Sequence, residues 1–314
     1  MTASHAPRLG IMFMILGMFC ISLNDMLIKA LSDGYALHQI VFLRNGLGIL
    51  VSIVILQIEG GWSLLRTKRP GLHLLRAGLV VIANLAFYAA LVSMPLAKAT
   101  ALYFVAPLLV TLLSIPVLGE KVGPRRGMAV LVGFVGVLVM LWPQLSGSDR
   151  TLGWTVLLPM LAAAGYAGMS VLTRKLGGGS RASAMAIYIQ TAFMITSLGF
   201  YLIAGDGRFV HLAGSDATEF LLRPWIWPPA HDWPSLLGLG LLSAAIGYCM
   251  SQAYRLGEAA SVAPFEYVLM IFAVFWGWTI FGEWPGHWVL AGATIIICSG
   301  AYVAWRAGQK QRIA

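Results

Sequence analysis

Charged side chains are scarce. Asp, Glu, Lys and Arg make up 11% of the 314 residues, against about 25% in an ordinary soluble domain. Hydrophobic types make up 59%, and the mean hydropathy is +0.82. A chain this poor in charge cannot cover itself with polar surface, so lipid must be the solvent for much of it. Cysteine is sparse too. Cys20, Cys249 and Cys298 lie in apolar runs with neither pair spacing nor metal-ligand spacing, which points to inert thiols. No G-x-x-x-x-G-K-[ST] loop occurs, which disfavours a nucleotide-driven pump. No His-Glu-x-x-His or clustered nucleophile motif occurs either, and the six histidines are scattered over ends and loops. Enzyme chemistry, a cofactor and a metal are therefore not expected. The net charge of +9 does not argue for nucleic acid, because the basic residues sit in short loops between apolar runs.

What the chain has in abundance is long apolar runs. A helix needs about 20 apolar residues to span the hydrocarbon core. Ten segments meet or approach that length: 9–30, 38–58, 72–94, 97–118, 127–142, 153–173, 183–204, 235–254, 259–281 and 287–305. The runs are continuously apolar rather than alternating, which favours helices over barrel strands. The first run has no small-residue cleavage site at its end and reads as a retained helix, not a signal peptide. One connection is long, at about 205–234. Its Trp225, Trp227, Pro228, Pro229 and Trp233 suggest a segment at the membrane interface.

With the N-terminus placed in the cytoplasm, alternate loops collect 15 of the 21 basic residues on the inner side and five on the outer side, with Arg44 inside a helix. This bias predicts ten spans with both termini inside. A shift of 163 places Leu96–Gly123 on Ala259–Gly286. Ala97 then falls on Ala260, Gly119-Glu120 on Gly282-Glu283, and Phe104 on Tyr267. Helices 1–5 then match helices 6–10. Five is odd, so the halves, residues 1–142 and 153–305, face opposite ways across the membrane, as in secondary transporters.

The letters of this repeat carry a resemblance. Ala97-Lys98-Ala99-Thr100-Ala101-Leu102, Pro107 and Leu118-Gly119-Glu120 recur in altered form around Ala259-Ala260, Pro264, Glu266-Tyr267 and Gly282-Glu283. The chain resembles the EamA-type branch of the drug/metabolite transporter superfamily over about residues 9–305. The resemblance implies an all-α membrane protein of ten transmembrane helices in two inverted five-helix repeats, with alternating access to a central cavity. It also implies a home in the inner membrane and transport of a small organic metabolite without ATP hydrolysis. The substrate expected is an amino acid or related compound; the alternatives are a vitamin such as riboflavin or a nucleoside derivative, and, from another class, a non-transporting scaffold subunit. Partners are the substrate, the bilayer and a coupling proton, in a monomer or homodimer. Pro107 and Pro264 do not coincide under the shift, so the two halves need not bend alike.

Polar side chains deep in a membrane helix cost roughly 2.5–3.5 kcal/mol each when charged, so each is a functional candidate. They are Asp25, Arg44, Asn84, Gln190, Gln252 and Glu266. Arg44 can fork onto a carboxylate or phosphate, and Asp25 or Glu266 can carry a proton. The plainer alternative is an Arg44–Asp25 pair bracing helices 1 and 2. Tyr103, Phe104 and Tyr267 either stack on a planar substrate or pack as ordinary core. Glu120 and Glu283 read as capping or gating elements. Lys29, Lys121 and Arg125 read as interface anchors that snorkel. Gly133 and Gly136, and the small residues Ala162–Gly168, mark close helix packing.

Overall fold

A backbone in hydrocarbon has no water to bond, so it must satisfy its own N–H and C=O groups, and helices do this within one segment. The computed structural model describes residues 6–67, 69–119, 124–146, 153–176, 182–256 and 263–313, and these contain helices and no strand. The helices are α1 (Ala6–Leu31), α2 (Leu37–Glu59), α3 (Pro70–Ser93), α4 (Leu96–Tyr103), α5 (Ala106–Leu118), α6 (Pro124–Leu145), α7 (Leu158–Leu176), α8 (Ala182–Ala204), α9 (Asp216–Leu222), α10 (Trp233–Leu256), α11 (Val268–Phe281) and α12 (His287–Ile313). Seven described stretches are long and apolar enough to cross a membrane, and Leu131–Pro143, Phe265–Phe281 and His287–Tyr302 are shorter apolar helices.

Two expected spans are not single helices. The run 97–118 is split into α4 and α5, with Phe104 and Val105 between them. Pro107 supplies no N–H to bond the carbonyl of Tyr103 four residues back, so the ladder breaks there. The run 259–281 begins, in its described part, with the 3-10 turn Ala263–Tyr267, and Glu266 lies on this turn rather than in an α-helix. Both α5 and α11 end on a left-handed glycine, Gly119 at φ 69° and Gly282 at φ 66°. Glycine reaches this region without a Cβ penalty, which is why it closes helices.

The principal packing pairs are α1 with α10, α3 with α7, α2 with α8, and α6 with α12. Without a hydrophobic force between helices in lipid, close backbone approach supplies the contact. A Cβ on Gly136 would lie 2.9 Å from the Gly292 carbonyl, and one on Gly292 would lie 2.5 Å from the Gly136 carbonyl. Gly165 meets the Leu79 carbonyl in the same way, at 2.9 Å. The small residues on α6 and α7 thus sit at tight helix crossings.

The long connection is a docked strap with its own short helix. Ser215 caps α9 through a capping box with Thr218. Gln39 holds the strap with both ends of its amide, accepting from the Ile226 N–H and donating to the Ile226 carbonyl. Arg223 donates to the Ser32 carbonyl, and the Trp225 indole N–H donates to His38. The Tyr35 hydroxyl donates to Asp232 at 2.6 Å. Burial and the adjacent carboxylate hold the Tyr35 phenol above its ordinary pKa, so it stays a donor.

Candidate functional site

Asp25, Arg44 and Glu266 line a cavity of about 290 Å³, near the lower end of the usual range for ligand pockets. Its walls come from both halves of the chain. From α1 come Asn24 and Asp25, from α2 Arg44, and from α3 Asn84, Phe87 and Tyr88. Tyr103 and Phe104 close it at the α4–α5 break, Tyr166 comes from α7, and Glu266 from the 3-10 turn. Six of the nine polar or aromatic candidates named from the sequence meet here: Asp25, Arg44, Asn84, Tyr103, Phe104 and Glu266.

The other three do not line it. Gln190 is buried on α8 and fills the gap against Gly48, where a Cβ would come within 3.0 Å of its Nε2. Gln252 is half-buried on α10. Tyr267 packs edge-on against Phe104, ring centroids 5.1 Å apart at 69°. It therefore buttresses the wall from behind.

Arg44 and Asp25 do not form the direct brace that charge alone suggests; Asn24 stands between them. The Arg44 Nη1 donates to Asn24 Oδ1 at 2.9 Å, and Asn24 Nδ2 donates to Asp25 Oδ1 at 3.0 Å. Nη1 also donates to the Tyr88 hydroxyl, and the guanidinium carbon lies 5.5 Å from the Tyr88 ring centroid. Asn84 returns its amide to the Val80 carbonyl one turn back at 3.0 Å. Tyr103 is held between Phe87, at 5.1 Å, and Tyr166, at 5.8 Å. Planar faces, amides, two carboxylates and one guanidinium thus share one partly dry space. Among the described residues, no group of three His, Cys, Asp or Glu side chains is placed to hold a metal ion.

Reading the sequence missed Tyr88, Tyr166 and Phe87. Tyr88 was findable, because it follows Asn84 by four residues and so shares its helix face. Phe87 follows Asn84 by three residues and shares that face as well; Tyr166 carries no such signal.

Of the two repeat glutamates the described one, Glu283, does not line the cavity. Glu283 pairs with Lys29 at 2.6 Å, accepts from the Leu96 N–H at 3.0 Å, and donates its own N–H to the Gly277 carbonyl at 2.8 Å. Its carboxylate therefore caps the positive N-terminus of α4. Lys29 does not snorkel: its side chain is only 10% exposed, donates also to the Met94 carbonyl, and lies 4.9 Å from the Phe281 ring centroid. Glu120 and Lys121 fall outside the described residues, as do the side chains of Pro107, Arg125 and Pro264.

Comparison with known proteins places this geometry in context. A riboflavin transporter of Rhizobium johnstonii is 28% identical over 305 residues, covering 96% of this chain and 93% of its own length. One of Vibrio cholerae is also 28% identical, covering 99% and 98%. An S-adenosylmethionine uptake transporter of Rickettsia prowazekii is 24% identical, covering 94% and 92%. A solved crystal structure, 19% identical, has the same fold with a TM-score of 0.64 over 99% of both chains. The profile of the EamA-like transporter family matches residues 8–142 and again 153–305, so this multi-pass membrane protein belongs to the EamA-like transporter family.

Proposed function

We propose that the chain is a secondary active carrier that takes up a planar heteroaromatic metabolite of the riboflavin class across the bacterial plasma membrane. The observation that carries the reading is the cavity itself. Phe87, Tyr88, Tyr103, Phe104 and Tyr166 offer ring faces, and Asn24, Asp25, Arg44, Asn84 and Glu266 offer polar partners. Flat rings bind by offset or edge contacts with such side chains, and a few polar groups fix orientation. Relatives named as riboflavin transporters match nearly the whole chain.

In this reading the chain forms ten spans in two inverted halves, residues 1–142 and 153–305, with both termini cytoplasmic. The packing pairs support it. An inversion that exchanges helices 1–5 with 6–10 maps the α2–α8 and α6–α12 contacts onto themselves and exchanges α1–α10 with α3–α7. The family profile matching twice supports the same division. The cavity lies between the halves, where alternating access exposes it to each side in turn. Asp25 and Glu266 are the carboxylates placed to carry a coupling proton.

The test is uptake of labelled riboflavin by right-side-out vesicles with and without the chain, at two pH values. Saturable, chain-dependent uptake is expected, and its absence overturns the substrate. A second reading rests on charge. Two carboxylates face one guanidinium in the cavity, a balance that suits a cation such as S-adenosylmethionine, itself an amino-acid derivative. Flux of labelled S-adenosylmethionine without riboflavin flux selects that reading.

A further inference from the structure

Among the described residues that line the cavity, Arg44 is the only guanidinium, and it is nine-tenths buried. One side of it is committed. Nη1 donates to Asn24 Oδ1 at 2.9 Å and to the Tyr88 hydroxyl. These two bonds, with the Tyr88 ring at 5.5 Å, fix the plane of the head group. The other side is unpartnered. The Arg44 Nε is buried and has no hydrogen-bond partner among the described residues. A buried donor of this kind is costly to leave unmade, so its persistence calls for an acceptor that comes and goes.

The obvious internal acceptor is kept away. Asp25 lies one residue from Asn24 on α1, yet Asn24 occupies the space between it and Arg44, with its oxygen on the guanidinium and its nitrogen on the carboxylate. Both ends of that amide are used. Arg44 thus keeps its Nε–Nη2 edge, the edge that takes two acceptors in parallel.

Resting on the riboflavin-class reading of the same cavity, we propose that this edge of Arg44 receives two adjacent acceptors on the substrate ring: a carbonyl oxygen and the neighbouring unprotonated ring nitrogen. In the flavin ring this is the O2/N1 pair or the O4/N5 pair. Arg44 is then the residue that separates a dione-bearing heteroaromatic from a flat ring of equal size. A hydrophobic wall discriminates weakly between such rings, whereas a site built to hydrogen-bond rejects an analogue lacking the partner by large factors. The aromatic walls supply the general affinity, and Arg44 supplies the choice.

The experiment uses the full chain in proteoliposomes with labelled riboflavin as the transported probe. Competitors are unlabelled riboflavin, 1-deazariboflavin and 5-deazariboflavin, in which one ring nitrogen becomes C–H. On the unaltered chain, one of the two deaza compounds is expected to compete about tenfold more weakly than riboflavin, the size of one lost charge-assisted bond. Arg44→Lys keeps the charge and loses the paired edge. It is expected to raise KM about tenfold with a smaller change in maximal rate, and to erase the difference between riboflavin and the weak deaza competitor. Equal competition by both deaza compounds on the unaltered chain overturns the proposal without any variant. An Arg44→Lys chain with unchanged KM overturns it too, as does one that loses affinity while keeping the deaza discrimination. Absence of any riboflavin flux in the unaltered chain overturns the substrate reading and this inference together; flux with any of the preceding results overturns this inference alone.

Discussion

The stretch from Leu96 to Gly119 and the stretch from Ala263 to Glu283 share a backbone design and differ in chemistry. Each has a short first piece, a break, a longer apolar helix and a left-handed glycine. The breaks coincide under the 163-residue shift, and the rings at the matched positions Phe104 and Tyr267 touch. One position earlier the match ends: the first stretch presents a phenol, Tyr103, to the cavity, and the second presents a carboxylate, Glu266. In the described residues the break is preceded by α-helix in the first stretch and by a 3-10 turn in the second. Two near-equal scaffolds can therefore surround one site whose two sides are chemically unlike.

The comparison is broken most severely at Glu283. Glu283→Ala strips Lys29 of its carboxylate where its side chain is only 10% exposed and removes the acceptor of the Leu96 N–H. A loss of about 2–4 kcal/mol is expected, read as a lowered melting temperature in detergent. The double variant Lys29→Met with Glu283→Ala should recover part of it, because the stranded charge is then gone. A single variant that melts with the unaltered chain would mean that the pair contributes nothing.

The chemical difference is sharpened at Glu266. Glu266→Gln is expected to slow uptake at least about tenfold, about 1.4 kcal/mol of barrier, and to flatten its pH dependence. Unchanged flux with unchanged pH dependence removes Glu266 from coupling. The backbone equality is tested at the two glycines. A Cβ on Gly119 or Gly282 would meet nothing within 4 Å, so Gly119→Ala and Gly282→Ala should each cost about 1 kcal/mol through φ alone. Melting shifts that differ several-fold between them would show the two turns to be unequal. The smallest effect is expected at Tyr103. Its ring sits between Phe87 and Tyr166, so Tyr103→Phe keeps the stacking and should change KM by no more than about threefold, or about 0.6 kcal/mol.

Seven of the ten expected spans recur as described stretches long and apolar enough to cross a membrane, and they were legible because their signal is length times hydropathy, which no partner elsewhere in the chain alters. The break at Phe104 was not, because Pro107 acts backwards: the carbonyl it orphans belongs to Tyr103. Asp25, Arg44, Asn84 and Glu266, which the structure brings to one cavity, stood out in the sequence for the reason that makes them expensive in lipid. That same reasoning over-reached at Gln190, whose amide fills a helix crossing instead. Lys29 was misread as an anchor because its partner stands 254 residues away. Tyr166 was invisible, since an aromatic residue in an apolar run looks the same whether it faces a neighbour or a cavity.

The strap that Gln39 clamps at Ile226 has a practical side. A 33.9 kDa protein made almost entirely of helices in detergent or lipid offers little for particle alignment in electron microscopy. A chain segment pinned by Gln39, Tyr35, His38 and the Ser32 carbonyl is a folded epitope, with Trp227 85% exposed at its tip. An antibody fragment raised against it would add rigid mass to the particle while leaving the walls of the cavity untouched.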